Sequence, residues 1–148
     1  MLLTGHCLEL IHEIDDNIVQ SIVTSPPYWG LRDYEGEEKQ LGQEDSPEEY
    51  VTNMVTFFRL CKRILKDDGT VWLNIGDTYF GAKGGHWEGG NSITSDETGG
   101  HYRMQRKAPP KHKYLKTKDL SGVPWMLAFA MQRDGWYLRQ DIIWHKPN

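Results

Sequence analysis

The fold of this chain is constrained most by residues 24–29, where two adjacent prolines follow a short β-branched run. Pro26 removes a backbone donor and fixes φ, and Pro27 restricts the residue before it. The chain after Ser25 is therefore held extended with its carbonyls free. A hydroxyl, free carbonyls and the Tyr28 ring then lie together at the C-terminal end of a strand, where open α/β sheets bind ligands. The alternative is an ordinary proline terminator of a strand, with a surface tyrosine.

The composition predicts one soluble domain. The chain has 148 residues and 38% hydrophobic content, which is enough for a core. We expect neither a membrane span nor a signal peptide, because no apolar run approaches 18 residues and the N-terminus is not basic-then-apolar. Cys7 and Cys61 are far apart in sequence, which favours free thiols and a cytoplasmic location. His6-Cys7 has no second Cys/His pair at ligand spacing, so no metal site is predicted.

The net charge of −4 conceals a basic segment at residues 81–118, which has 3 acids and 8 bases against 15 acids and 6 bases in residues 1–80. The segment also contains Gly-Gly pairs and three histidines. We expect a flexible loop that supplies phosphate contacts to DNA. The alternative is a solvated, disordered insertion without a partner. The candidate DNA-binding side chains in the segment are Lys83, Arg103, Arg106 and Lys107.

Hydrophobic periodicity predicts strands that alternate with helices. Ser46, Pro47 and Glu49 form the capping pattern of a helix that ends at residues 67–69. The apolar strand 70–75 is expected to be buried on both faces. This order indicates an α/β fold with a parallel or mixed sheet that is covered on both sides. The other predicted elements are a strand end at Leu2-Leu3, a helix at 8–14, a strand at 18–24, a helix at 121–134 and a strand at 137–144.

With these landmarks in order over essentially the whole chain, the sequence resembles the amino-group DNA methyltransferases, which methylate cytosine N4 or adenine N6. It is most similar to the permuted subgroup in which the catalytic half precedes the cofactor half. The resemblance implies a partial Rossmann-like methyltransferase sheet, mostly parallel, with S-adenosylmethionine as cofactor and double-stranded DNA as substrate. It rests on Leu3-Thr4-Gly5-His6-Cys7, Thr24–Trp29, Leu41-Gly42, Ser46-Pro47-Glu48-Glu49-Tyr50, Leu65-Lys66-Asp67-Asp68-Gly69-Thr70, Asn74-Ile75-Gly76-Asp77, Gly135-Trp136 and Ile142–Pro147.

The resemblance assigns roles to the proline corner. The Ser25 hydroxyl and the Pro26 carbonyl accept hydrogen bonds from the exocyclic amine and localise its lone pair during attack on a methyl sulfonium, while Pro27 holds the geometry. Tyr28 stacks on a base flipped out of the duplex. Trp29 is a second stacking candidate, with burial as an equal alternative. A serine at the first position is more typical of the cytosine-N4 members, although adenine N6 stays open because either acceptor can bind an amine.

The sequence departs from the family pattern in two places. His6 stands where an acid is usual. Phe80-Gly81-Ala82-Lys83-Gly84-Gly85 is the one sequence similar to the cofactor turn, and it is rejected because it lies after the Gly76-Asp77 landmark and is followed by glycine and polar residues instead of a helix. We therefore expect residues 1–148 to be the N-terminal catalytic half of a methyltransferase of bacterial, phage or prophage type, without the target-recognition and cofactor-loop regions.

Three functional alternatives follow from these departures. The chain works with a C-terminal half or subunit, or it is a truncated, non-catalytic remnant that binds DNA through its basic segment. A weaker third hypothesis is methylation of a protein amide or of RNA.

Overall fold

A computed structural model of the chain describes residues 2–31, 40–81, 111–145 and 147. Within these residues, helices and strands alternate in an α/β arrangement. The helices are α1 (Cys7–Leu10), a 3₁₀ helix (Ile11–Glu13), α2 (Pro47–Ile64) and α3 (Val123–Arg133), and the strands are β1 (Val19–Thr24) and β2 (Leu65–Leu73).

The two described strands run parallel, with α2 as the crossover between them. Ser21 lies opposite Thr70, and Val23 lies opposite Trp72. This βαβ unit is the arrangement that the alternating pattern predicts, since parallel strands require a long connection. The carboxyl ends of β1 and β2 therefore lie side by side.

The start of β2 differs from the prediction. The helix ends at Ile64 and the strand begins at once, so the Asp67-Asp68-Gly69 segment lies inside β2 as an irregularity rather than before it. Gln20 Nε2 donates to Asp68 Oδ1 at 3.1 Å across this irregularity. A β-carbon on Gly69 would stand 2.8 Å from the Lys66 carbonyl oxygen, so the tight path of the chain requires glycine.

Helix α2 confirms the predicted start, and apolar side chains at helical spacing form a stripe along one face of it. The Ser46 side chain accepts from the Glu49 N–H at 3.2 Å, and Pro47 occupies the first turn. The stripe is buried, and burial raises the pKa of the Cys61 thiol to about 12. The stripe's buried members are Tyr50, Val51, Met54, Phe58, Cys61 and Ile64.

Within the described residues, the core lies on one face of the sheet, which corrects the prediction of a strand buried on both faces. Residues Ile22, Val71 and Leu73 pack toward the buried side chains of α2 and α3. Their neighbours on the opposite face stay open: Val23 is 79% exposed and Trp72 is 52% exposed. The described strands alternate between covered and uncovered positions, as strands with one free face do.

Two predicted strands are absent from the described residues. Leu2-Leu3 has no strand pairing, and residues 137–144 have no regular secondary structure. Tyr137 is 87% exposed and Trp144 is 82% exposed. Aromatic and β-branched residues only favour a strand, because a strand also needs a neighbour to pair with, and the described sheet contains β1 and β2 alone.

The predicted basic loop is described only at its ends. Residues 111–118 contain neither helix nor strand, whereas the Gly-rich stretch 82–110 lies outside the described residues. The two ends are joined by an antiparallel bridge between Tyr79 and Leu120. The Phe80 N–H also donates to the Asp119 carbonyl at 2.8 Å. None of the helices in the described ranges is both long and apolar enough to cross a membrane.

Candidate active site

The proline corner leaves the sheet where β1 ends. The Asn74 N–H donates to the Thr24 carbonyl at 2.9 Å, which is the last backbone bond between the two chain segments. Ser25 follows immediately and is exposed, while Pro26 and Pro27 are half-buried. The corner therefore stands at the carboxyl edge of the sheet, beside the segment that follows β2.

The two proline carbonyls have different surroundings. The Pro27 carbonyl accepts from the Tyr50 hydroxyl at 2.8 Å. No described residue donates to the Pro26 carbonyl. The Ser25 hydroxyl lies 3.4 Å from the Tyr28 hydroxyl and donates toward it. The corner thus presents one hydroxyl oxygen and one peptide oxygen that are not saturated by the described part of the chain.

The Tyr28 ring is half-buried and lies against the segment after β2. A β-carbon on Gly76 would stand 2.8 Å from Tyr28 Cε2 and 3.0 Å from Cδ2. Real β-carbons essentially never come so close to another atom, so a glycine is required beneath the ring. Gly76 belongs to one of the sequence landmarks, and its role is to admit this ring.

Trp29 is buried at 8% exposure, so the structure favours the burial alternative over base stacking. Its indole N–H donates to the Glu44 carbonyl at 2.9 Å. Its ring is stacked on Phe80, with centroids 6.5 Å apart and an angle of 14° between the planes. The Trp29 carbonyl accepts from the Thr78 hydroxyl at 3.1 Å. Trp29 therefore anchors the corner to the core.

The segment before α2 supports the corner from the other side. The Gly30 N–H donates to the Gly42 carbonyl at 2.8 Å. Gly42 has a φ of +94°, and its Cα approaches Pro27 so closely that a β-carbon would stand 3.1 Å from Pro27 Cβ. The Glu44 carboxylate accepts from the Gly42 N–H at 2.8 Å and from Asn53 Nδ2 at 3.1 Å. The sequence did not predict a role for Glu44. Its one hint is that Glu44 lies between the Leu41-Gly42 landmark and the start of the helix.

Asp77 connects the site to α3. Its carboxylate accepts from the N–H groups of Thr78 at 2.9 Å, Gly122 at 2.8 Å and Val123 at 3.3 Å. The N–H groups of Gly122 and Val123 lie at the start of α3, and that of Thr78 lies in the same loop as Asp77. Asp77 therefore satisfies donors that a helix start leaves free. The sequence marks Asp77 as a landmark residue but does not reveal its contacts with α3, because Gly122 and Val123 lie 45 and 46 residues away.

A second polar cluster forms where the chain returns at residue 111 and contacts the start of α2. The Tyr114 hydroxyl donates to Glu48 Oε1 at 2.6 Å. His112 Nε2 lies 3.1 Å from Glu48 Oε2, and His112 Nδ1 accepts from the N–H groups of Tyr114 and Leu115. In the tautomer that carries its proton on Nε2, His112 donates to Glu48. Partial burial raises the pKa of Glu48, but hydrogen bonds from Tyr114 and His112 outweigh it and lower the pKa overall.

The remaining predicted site residues belong to the basic segment. Lys83, Arg103, Arg106 and Lys107 lie outside the described residues. Phe80, the first residue of the rejected cofactor-turn sequence, is a core side chain at 4% exposure. In the described ranges, no group of three or more His, Cys, Asp or Glu residues is arranged to hold a metal ion.

The described residues do not fit the cofactor of amino-group methyltransferases. Such a site needs a glycine turn that leads from a strand straight into a helix N-terminus. β1 is followed by the proline corner instead. β2 is followed by Gly76 and Asp77, and the Asp77 carboxylate already occupies the N-terminus of α3.

Comparison with known proteins gives a consistent result. A family model described as DNA methylase matches residues 19–148. The chain is 48% identical over 147 residues to the type II methyltransferase M.SmaI of Serratia marcescens. This match covers 99% of this chain and 48% of that relative. It is 45% identical to M.Cfr9I of Citrobacter freundii, with 99% and 46% covered.

A third relative, the type II methyltransferase M.XycI of Xanthomonas campestris pv. cyanopsidis, is 44% identical, with 99% of this chain and 46% of the relative covered. The chain thus spans about half the length of these curated relatives. No solved structure matches the chain at a significant level. The family match extends over most of the chain, which confirms the resemblance drawn from the proline corner and its ordered landmarks. The chain belongs to the DNA methylase family.

Proposed function

We propose that this chain is the base-binding, catalytic half of a site-specific DNA methyltransferase. It transfers a methyl group from S-adenosylmethionine to the exocyclic amine of a flipped DNA base, with cytosine N4 preferred. The observation that carries the proposal is the corner's division of acceptors: Tyr50 occupies the Pro27 carbonyl, whereas the Pro26 carbonyl and the exposed Ser25 hydroxyl have acceptor capacity left. The names of the relatives, all type II methyltransferases, support the reaction class.

The chemistry requires two acceptors because an exocyclic base amine is a poor nucleophile. Its lone pair is delocalised into the ring, and its nitrogen gains positive charge as it attacks the methyl group. Oxygen acceptors aimed at its two N–H groups localise the lone pair and stabilise the positive charge. Because these dipoles are already oriented, they need no reorganisation as the transition state forms. The Ser25 hydroxyl and the Pro26 carbonyl are the two acceptors.

A neutral hydroxyl accepts from an amine only if its own proton points elsewhere. The Ser25 hydroxyl donates toward the Tyr28 hydroxyl at 3.4 Å, and we infer that this contact leaves the Ser25 lone pairs free to accept from the amine. Tyr28 thus has two roles. Its ring stacks on the extruded base, and its hydroxyl keeps Ser25 in the acceptor orientation.

The described residues include no glycine turn that could hold the methyl donor. When bound, S-adenosylmethionine would supply the methyl group and leave as the neutral thioether S-adenosylhomocysteine, while the amine loses one proton to solvent. The described residues bind and orient the amine. We place the remaining cofactor contacts in a C-terminal half or subunit, since the chain spans about half of its relatives.

The preference for cytosine N4 rests on Ser25 in the first position of the corner. We assign double-stranded DNA as the substrate and a cytoplasmic restriction–modification system as the setting, on the strength of the type II relatives. Adenine N6 is the alternative target, because the corner's two oxygens can accept from either amine.

The test is methyl transfer to duplex DNA from labelled S-adenosylmethionine, with the chain alone and with the C-terminal region encoded beside it. Mass spectrometry of the digested DNA distinguishes N4-methylcytosine from N6-methyladenine. We expect Ser25→Ala and Tyr28→Ala to reduce the rate at least 100-fold, by loss of an acceptor and of stacking. Ser21→Ala and Tyr137→Ala are matched controls on exposed residues outside the corner. Absence of transfer by the wild type in both formats would exclude the proposed activity.

A second candidate function is DNA binding by a non-catalytic remnant. It is favoured by the absence of a cofactor turn from the described residues. Such a remnant would bind DNA without sequence preference and with a steep dependence on salt, and it would show no affinity for S-adenosylmethionine. Methyl transfer by the complemented chain would rule it out.

A further inference from the structure

Tyr50 joins the core of the chain to the proline corner. Its side chain is fully buried on α2, and its hydroxyl donates to the Pro27 carbonyl at 2.8 Å across 23 residues of sequence. Burial, with Glu44 and Tyr28 adding to it, raises the pKa of the Tyr50 phenol far above its usual range. The hydroxyl is therefore protonated, and able to donate, at every working pH.

The corner needs an anchor of this kind because of its covalent structure. Pro26 and Pro27 have no N–H groups, so neither residue can donate a hydrogen bond to the neighbouring chain. The two prolines can be held only by their carbonyls or by packing. Since the Pro26 carbonyl is needed for the substrate, the Pro27 carbonyl is the one available for anchoring.

We propose that Tyr50 is a positioning residue, which orients the acceptor pair of Ser25 and Pro26 by holding the Pro27 carbonyl. The proposal rests on the proposed function. The proline ring fixes φ of Pro27, and the hydrogen bond from Tyr50 fixes the direction of its carbonyl, and hence ψ. The peptide plane that carries the Pro26 carbonyl is then set relative to α2.

Simple core packing is the competing explanation for Tyr50. A phenylalanine would fill the same space among the buried residues of α2, so packing alone does not require the hydroxyl. The packing explanation predicts that loss of the hydroxyl affects stability only. The positioning role predicts an effect on the turnover rate that exceeds any effect on DNA binding.

The discriminating experiment compares Tyr50→Phe with Tyr137→Phe, which removes an exposed hydroxyl of the same type. Both are assayed in the format in which the wild type transfers methyl groups. We expect Tyr50→Phe to lower kcat by roughly 10- to 100-fold, the loss typical of a misplaced reacting group, with KM for DNA within about twofold. Tyr137→Phe is expected to behave as wild type.

A second readout does not depend on activity. With carbonyl-labelled proline, we expect the Pro27 carbonyl resonance of Tyr50→Phe to move upfield, and the Tyr28 amide to gain millisecond exchange. Incorporation of 3-fluorotyrosine at position 50 preserves the side-chain shape and strengthens the donor. It should move the Pro27 resonance downfield, and this variant keeps the test decisive if Tyr50→Phe does not fold.

The outcomes separate the two proposals. Wild-type kcat in Tyr50→Phe, with an active enzyme, overturns the positioning role and leaves the proposed function intact. If the wild type itself transfers no methyl group, the proposed function fails. The Pro27 carbonyl and Tyr28 amide resonances then test the positioning role of Tyr50. An unchanged Pro27 carbonyl and Tyr28 amide in both position-50 variants then overturn the positioning role as well.

Discussion

The Tyr28 ring lies directly on Gly76, with the position of a Gly76 β-carbon only 2.8 Å from ring atom Cε2. The two residues follow the carboxyl ends of neighbouring parallel strands, so the contact joins the proline corner to the loop after β2. The ring's orientation is thus set partly by the absence of a side chain. If Tyr28 stacks on the target base, Gly76 controls where that base lies.

We expect Gly76→Ala to displace the Tyr28 ring and to lower methyl transfer by tenfold or more. The added methyl group has no room unless the ring moves, and such overpacking typically costs about 1–3 kcal/mol of stability. Urea denaturation measures the stability loss, and steady-state methyl transfer measures the rate.

The control for this change is Gly30→Ala. Gly30 has a φ of +65°, so alanine there is strained by about 1 kcal/mol, but no non-neighbouring atom of the described residues lies within 4 Å of the added β-carbon. A comparable stability loss with an unchanged rate is expected in the control. If Gly76→Ala has the wild-type rate, the position of the ring is not important for the reaction.

The parts of the fold that the sequence predicts well are local. Ser46 and Pro47 mark the start of α2 within a few residues, and the apolar stripe then follows from helical spacing. The position of the proline corner at the end of β1 is also predictable, because prolines cannot continue a paired strand. Each of these signals acts within a few residues, so no knowledge of the tertiary structure is needed.

The parts that the sequence did not predict depend on distant partners. Residues 137–144 have strand composition but no strand beside them in the described sheet. The exposure of Trp72 likewise depends on which other parts of the chain pack against its face of the sheet, and no local sequence pattern reveals that. In the site, the Tyr50 hydroxyl bonds across 23 residues and the Asp77 carboxylate across 45. Such pairings are a property of the folded chain alone.

Asp77→Ala is expected to destabilise the chain by about 1–2 kcal/mol, through loss of acceptors for the N–H groups at the start of α3. Gly122, at the N-cap, has no side chain that could replace them. Chemical denaturation followed by circular dichroism measures the change. Asp77→Asn keeps one acceptor oxygen and should lose less, which distinguishes capping from a general effect of the site. Equal losses in both variants would contradict the capping role.

The basic segment makes a prediction about salt. If Lys83, Arg103, Arg106 and Lys107 each contact a phosphate, replacing all four with alanine should make the slope of log K against log salt less negative by roughly 3 to 4. DNA affinity measured by fluorescence anisotropy at several salt concentrations gives the slope. A control variant replaces three exposed bases outside this segment and should leave the slope nearly unchanged; these are Lys66, Arg133 and Arg139. An unaltered slope in the quadruple variant would mean that the segment does not touch DNA.

The cluster of Glu48, His112 and Tyr114 should make stability depend on pH at both ends of the range. The pKa of Glu48 is lowered, so its contribution is complete above the ordinary glutamate value of about 4.3 and is lost as pH falls through the lowered pKa. The hydrogen bond to Glu48 raises the pKa of Tyr114. Its contribution is therefore complete below about pH 10 and is lost as pH rises through the raised value.

The measurement is the urea midpoint as a function of pH for the wild type, Glu48→Gln and Tyr114→Phe. We expect both variants to have lower midpoints than the wild type near neutral pH, and Glu48→Gln to converge with it in the acid range. The effect is small because the pair is mostly exposed, so Tyr79→Phe, which removes another exposed hydroxyl, sets the baseline. Additive losses in the double variant would show that Glu48 and Tyr114 act independently. A direct hydrogen bond instead requires each change to cost less stability when the other residue is already replaced than when it is made alone.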